Sequence, residues 1–183
     1  MDSDNLINRR SFLKIAGMVS AVSFFPSIIL GKTDLPYKKS LSLYNIHTNE
    51  NINMTFWADG SYIPEALTEM NHFLRDYRTG TSTQMNVELF DLLYSLRTSL
   101  DSNKPFNVIS GYRSPETNGT LHGHSSGVAK KSLHMEGKAI DINLPGRNLS
   151  DLHTLAMNLK QGGVGYYPES NFVHVDVGRV RYW

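Results

Sequence analysis

The sequence predicts an α+β fold in one domain, because amphipathic helical stretches come first and several short strand-like runs follow them. Its size sets the limit: 183 residues, 40% of them hydrophobic, suffice for one core and are too few for two ordinary domains.

The first 32 residues stand apart from that domain. Asn8-Arg9-Arg10-Ser11-Phe12-Leu13-Lys14 leads into an apolar run from Ile15 to Leu30 that is broken by Ser23, Pro26 and Ser27. Paired positive charge before a short, Ser- and Pro-broken apolar run resembles a twin-arginine export signal. A membrane anchor or a basic tail is the plainer alternative. The resemblance implies export to the periplasm or cell envelope, with membrane contact only through this segment if it stays uncleaved. Residues 1–32 are therefore read as a signal segment and 33–183 as the folded domain.

Within the domain, Ser40 to Ile46 alternates polar and apolar residues, Thr48-Asn49-Glu50-Asn51 supplies turn chemistry, and Ile52 to Trp57 alternates again. This predicts a β-hairpin. Ile63 to Tyr77 spaces Leu67, Met70, Phe73, Leu74 and Tyr77 as one helical face behind Pro64, and Asn86 to Leu100 repeats the pattern with Leu89, Leu92, Leu93, Leu96 and Leu100. These stripes are read as core. Phe106 to Ser110 is a short strand, followed by a Gly- and Ser-rich loop to about Lys131. A strand over Lys138–Asn143, a helix over Leu149–Leu159 and a closing hairpin from Gly163–Tyr166 with Phe172–Val177 complete the order.

Composition excludes several functions. Outside the first 32 residues, 14 basic face 15 acidic residues, with no basic run to follow a phosphate backbone, so nucleic acid is not an expected partner. The absence of cysteine removes disulfides, thiolate metal sites and cysteine nucleophiles together. Any metal must be held by nitrogen and oxygen.

His134 and Asp141 lie seven positions apart with Gly137 between them, and His174 follows in the strand-like Phe172-Val173-His174-Val175-Asp176. Two imidazoles and a carboxylate are a usual ligand set of a catalytic zinc. Spacing leaves two readings open, a converging site or two ordinary partly buried histidines.

The motifs decide between them by resemblance. Ser132-x-His134-x-x-Gly137-x-Ala139-x-Asp141, preceded by Ser110-Gly111-Tyr112-Arg113-Ser114 and followed by Val173-His174-Val175-Asp176, resembles the zinc D-alanyl-D-alanine carboxypeptidases, dipeptidases and murein endopeptidases. Ser125 to Lys130, Gly162 to Gly165 and Gly178 to Trp183 are similar to the murein endopeptidase K group. The resemblance implies a small antiparallel sheet, one zinc per chain on His134, Asp141 and His174, and hydrolysis of peptidoglycan stem-peptide cross-links, at meso-diaminopimelate above all. A D,D- or L,D-carboxypeptidase and a silent wall-binding module are the alternatives.

One departure matters for mechanism. Many members of that superfamily carry Glu-x-Trp-His before the last ligand, where this chain has Asn171-Phe172-Val173-His174. Asp176, two residues on and on the same strand face as His174, is the expected general base, with a ligand-orienting role as its alternative. Glu136 and Glu169 are the other nearby acids. Arg113 is expected to meet a substrate carboxylate or the developing oxyanion, or to form a structural ion pair. His122 and His124 are read as loop histidines, and Lys130 and Lys131 as water-facing, with contact to acidic stem peptides as the alternative. Arg179, Arg181 and Trp183 are placed beside the cleft or at a plain strand end.

Overall fold

The computed structural model describes residues 37–124 and 127–183. The expected signal segment lies outside the described residues.

The predicted hairpin forms β1 (Lys38–Asn45) and β2 (Asn51–Ala58), paired antiparallel with Leu41 and Leu43 turned inward. A two-residue β3 (Ser61–Tyr62) edges β2. Next, α1 (Pro64–Phe73) starts on a proline, which suits a first turn because its missing N–H would be unpaired there anyway. The second helix, α2 (Val87–Ser99), is capped by Asn86, whose side chain accepts from Glu88 N at 2.8 Å. After β4 (Phe106–Ser110) comes α3 (Pro115–His124), where the sequence suggests only loop. Its residues carry no apolar stripe, so periodicity misses it. Local capping makes it: Ser114 Oγ accepts from Thr117 N at 3.2 Å, and Ser114 O accepts from Asn118 N at 2.8 Å.

The remaining elements are β5 (Ala139–Asn143), α4 (Leu149–Leu159), β6 (Gly163–Tyr167), β7 (Phe172–Asp176) and β8 (Arg181–Tyr182). All eight strands join one sheet in the order β3-β2-β1-β4-β5-β7-β6-β8. Its β4-β5-β7-β6 centre is antiparallel, as expected; the β1–β4 and β6–β8 pairs are parallel and widen it into a mixed sheet. Met70, Leu89, Leu93 and Leu96 from the helices meet Ile140, Ile142, Val173 and Val175 in one buried core. Because strand residues alternate, the same strands turn Asp141, His174 and Asp176 to the opposite face.

The chain leaves α1 at Leu74, short of the expected Tyr77, because Asp76 is needed in a turn. Its carboxylate is buried and accepts from Arg78 N at 3.0 Å and from Ser114 N at 2.9 Å. Beside it, Leu74 O accepts from Tyr112 N at 2.8 Å, and a Cβ on Gly111 would lie 2.6 Å from that same carbonyl. The Gly111–Ser114 segment is thereby clamped against the end of α1. Burial alone would raise the Asp76 pKa, but hydrogen bonds from Thr117, Ser114 and Arg78 outweigh it and bring it from 3.8 to about 2.

A depressed carboxylate pKa adds stability that is complete above the unfolded value and is lost as pH falls through the folded one. Asp76→Ala is expected to cost about 1–3 kcal/mol at neutral pH, since the buried Ser114 N–H and the part-buried Arg78 N–H lose their acceptor. In urea denaturation, the gap from the parent should narrow between about pH 4 and about pH 2. An unchanged gap over that range counts against this clamp.

Candidate metal centre

A one-turn 3-10 helix (Leu133–Glu136) carries His134. Ser132 Oγ caps it by accepting from His134 N at 3.3 Å, and Gly137 ends it at φ 65°, where an added Cβ would lie 2.7 Å from Gln84 O. Only glycine turns the chain there without strain or collision. Asp141 on β5 and His174 on β7 are direct cross-strand partners, and Ser110 on β4 lies opposite Asp141 beyond an irregular register. Sheet register therefore brings together two residues thirty-three positions apart.

The three side chains are buried, at 2%, 6% and 9% exposure for His134, Asp141 and His174. Asp141 Oδ1 lies 2.8 Å from His174 Nδ1 and 3.3 Å from His134 Nε2, with 3.2 Å between the two nitrogens. Partners on the far side of each ring fix the tautomers. His134 Nδ1 lies 2.8 Å from Gly111 O, and a carbonyl only accepts, so Nδ1 carries the hydrogen and Nε2 offers a lone pair. His174 Nε2 lies 3.0 Å from Asp176 Oδ2, so it donates there and Nδ1 faces the cluster.

Three acceptor atoms thus converge with no hydrogen among them, an arrangement that demands positive charge. Burial works to lower the His174 pKa, yet the Asp141 and Asp176 carboxylates raise it overall. Burial likewise opposes ionisation of Asp141, and the two imidazoles hold its carboxyl well below the usual range. Two nitrogens and one oxygen, all within 4.8 Å of one another, suit a divalent cation, and they are the one such group among the described residues.

Asp176 stands behind His174, fully buried. Its Oδ1 accepts from Gly163 N, Gly178 N and Arg181 Nη1 at 3.0, 2.8 and 3.1 Å, and its Oδ2 from His174 Nε2 and Arg181 Nη2 at 3.0 and 2.6 Å. Burial raises its pKa, but these donors pull it far below the carboxylate range. Of the two roles expected for it, general base or ligand orienter, the contacts bear on the second: five donors surround the carboxylate, one of them His174 Nε2, and Asp176 is not among the residues that line the cleft.

Arg113 flanks the cluster, with Nη2 3.7 Å from Asp141 Oδ2. Its other contacts are long, 3.4 Å to Ser110 Oγ and 3.5 Å to Asn118 Oδ1, and its buried Nε has no hydrogen-bond partner among the described residues. Burial lowers its pKa while Asp141 opposes that. His122 and His124 are exposed at the end of α3, each against a backbone carbonyl. Glu136 is exposed and pairs with Lys138, and Glu169 is exposed too.

The cluster floors a cleft of about 330 Å³ whose walls include Arg113, Lys131, Tyr167, Phe172, Arg181 and Trp183. Among its described lining residues Asp141 is the single acid, so the walls favour anionic groups. Nothing in the sequence pattern assigns a role to Tyr167 or Phe172, and Trp183 is expected only beside the cleft or at a strand end. Their aromatic type signals packing in general, and nothing local distinguishes a cleft wall from core.

A family model described as Peptidoglycan L,D-endopeptidase MepK matches residues 35–183. The Peptidoglycan L,D-endopeptidase MepK of Escherichia coli is 43% identical over 176 residues, covering 96% of this chain and 97% of that protein. The Probable peptidoglycan L,D-endopeptidase MepK of Haemophilus influenzae is 38% identical over 177 residues, covering 96% of this chain and 95% of that protein.

Proposed function

We propose, from the premise that the chain belongs to the peptidoglycan L,D-endopeptidase MepK family, that it is a metallopeptidase that hydrolyses L,D-peptide cross-links of peptidoglycan. The observation that carries this reading is the convergence of three acceptor atoms, His134 Nε2, Asp141 Oδ1 and His174 Nδ1, on the floor of a cleft.

In this reading His134, Asp141 and His174 hold one zinc ion per chain, and the substrate is the stem peptide at a meso-diaminopimelate cross-link. What the ion supplies is Lewis-acid polarisation of the scissile carbonyl and a water acidic enough to attack near neutral pH. The chain's own residues do the rest. Gly111 O and the Asp176 carboxylate hold the two imidazoles with their lone pairs turned inward. Asp176 acts by orienting His174, and Arg181 and the two backbone N–H groups keep it ionised. Arg113, short of partners and lining the cleft, offers its guanidinium to a substrate carboxylate or to the carbonyl oxygen as charge builds on it.

Residues 1–32 serve as a twin-arginine-type signal, and the enzyme works in the periplasm or cell envelope. That placement agrees with a peptidoglycan substrate and with the Arg9-Arg10 pair ahead of an apolar run.

The test is to incubate the zinc-loaded full-length chain with purified L,D- and D,D-cross-linked muropeptide dimers and identify products by mass. Conversion of L,D-linked dimers to monomers, lost on chelation and regained with zinc, is the expected result. Intact dimers beside bound zinc would overturn the endopeptidase reading, and removal of a single terminal residue would identify a carboxypeptidase instead.

A further inference from the structure

The side wall of the cleft is built to aim one hydroxyl. Gly165 lies opposite His174 in the β6–β7 ladder, and an added Cβ there would meet the Trp183 indole at 2.7 Å. Glycine is thus what lets the indole lie over the His174 ring, with centroids 5.2 Å apart. The backbone of Trp183 is pinned at both polar groups, its N donating to Val164 O at 3.2 Å and its O accepting from Tyr166 N at 3.0 Å. The Arg181 guanidinium, itself anchored on Asp176, backs the indole at 4.9 Å.

So held, Trp183 Nε1 lies 2.7 Å from Tyr167 Oη. An indole N–H only donates, so the phenol oxygen must accept, and its own hydrogen is directed elsewhere. Among the described residues no acceptor takes that hydrogen. Phe172 stacks on the Tyr167 ring at 4.5 Å and 19°, which fixes the ring plane. Tyr167, Trp183, Arg113 and the three candidate ligands line the same cleft.

We propose that Tyr167 is a catalytic hydrogen-bond donor: its O–H, aimed by Trp183, donates to the carbonyl oxygen of the scissile peptide bond as negative charge builds there. The proton stays on the phenol throughout, so no bond of Tyr167 is made or broken. This role rests on the hydrolase reading of the site and adds a second donor beside Arg113. A donor directed at developing charge is worth more in the transition state than in the bound substrate, so its loss appears in kcat.

Tyr167→Phe removes only the hydroxyl and keeps the ring on Phe172. Trp183→Phe keeps an aromatic side chain and removes the N–H that aims the phenol. Both are assayed as zinc-loaded full-length chains on L,D-cross-linked dimers, with zinc titration and a thermal melt of each. Tyr167→Phe is expected to lower kcat by about 10²-fold. Its KM should stay within about twofold of the parent, with zinc affinity and melting close to the parent's. Trp183→Phe is expected to lower kcat by a smaller factor in the same pattern. A Tyr167→Phe enzyme with parental kcat would overturn the proposal, and so would a raised KM at unchanged kcat, which marks a ground-state contact. Absence of hydrolysis by the parent would remove the functional reading and this role with it, whereas activity shared equally by parent and Tyr167→Phe removes the role alone.

Discussion

Asp141→Ala is expected to eliminate zinc binding and muropeptide hydrolysis together. The carboxylate contributes the acceptor between two imidazole lone pairs and, being ionised, the only negative charge in the ligand set. Changing a group that merely orients a ligand typically costs about 10- to 100-fold in metal affinity, so losing a ligand should cost more than about 100-fold. Competition titration against a chromophoric chelator gives the affinity, and dimer-to-monomer conversion gives the activity. A thermal melt of the variant beside the titration separates loss of the ion from loss of the fold. A variant that still hydrolyses at the parental rate would dismiss these three residues as the metal site.

Asp176 carries the second large effect, and it falls on stability and metal affinity at once. Asp176→Ala strands two backbone N–H groups, the Arg181 guanidinium and His174 Nε2 in a buried place. Breaking a buried charge pair from one side costs about 3–5 kcal/mol. The lower end applies here, because Arg181 is partly exposed and regains water. His174 would also lose the contact that fixes its tautomer, which predicts about 10- to 100-fold weaker zinc binding. The pKa of Asp176 is depressed, so the stability it adds is complete above the ordinary carboxylate value and fades as pH falls through the folded one. Asp176→Asn separates the two roles. Loss of kcat with unchanged zinc affinity and denaturation midpoint would restore Asp176 as a base, whereas weaker zinc binding with a lower midpoint supports an orienting role.

Much of the fold was legible because it is written in local periodicity. The apolar stripes of α1 and α2 and the alternation of β1 and β2 mark their faces directly, and α4 matches its expected bounds. Where periodicity is missing, the reading failed. The third helix has Gly119, Gly123 and a run of polar residues in place of an apolar stripe, and it depends on a proline start and a Ser114 cap. Helix α1 ends before the expected Tyr77 because the demand on Asp76 comes from Ser114, thirty-eight residues away.

Most element types, the α+β order and the nitrogen-and-oxygen character of any metal site are readable in the sequence alone, and its three candidate ligands come from the family resemblance of their motifs. The elements and the donor type follow from residue chemistry and short-range spacing, which folding leaves unchanged. It takes the packed chain to show that Asp141 faces His174 across β5 and β7, that both imidazoles turn lone pairs inward, that five donors surround Asp176, and that Trp183 Nε1 donates to Tyr167 Oη. Each of these depends on strand register or on which distant group satisfies a buried polar atom, and such pairings exist only once remote segments have packed together.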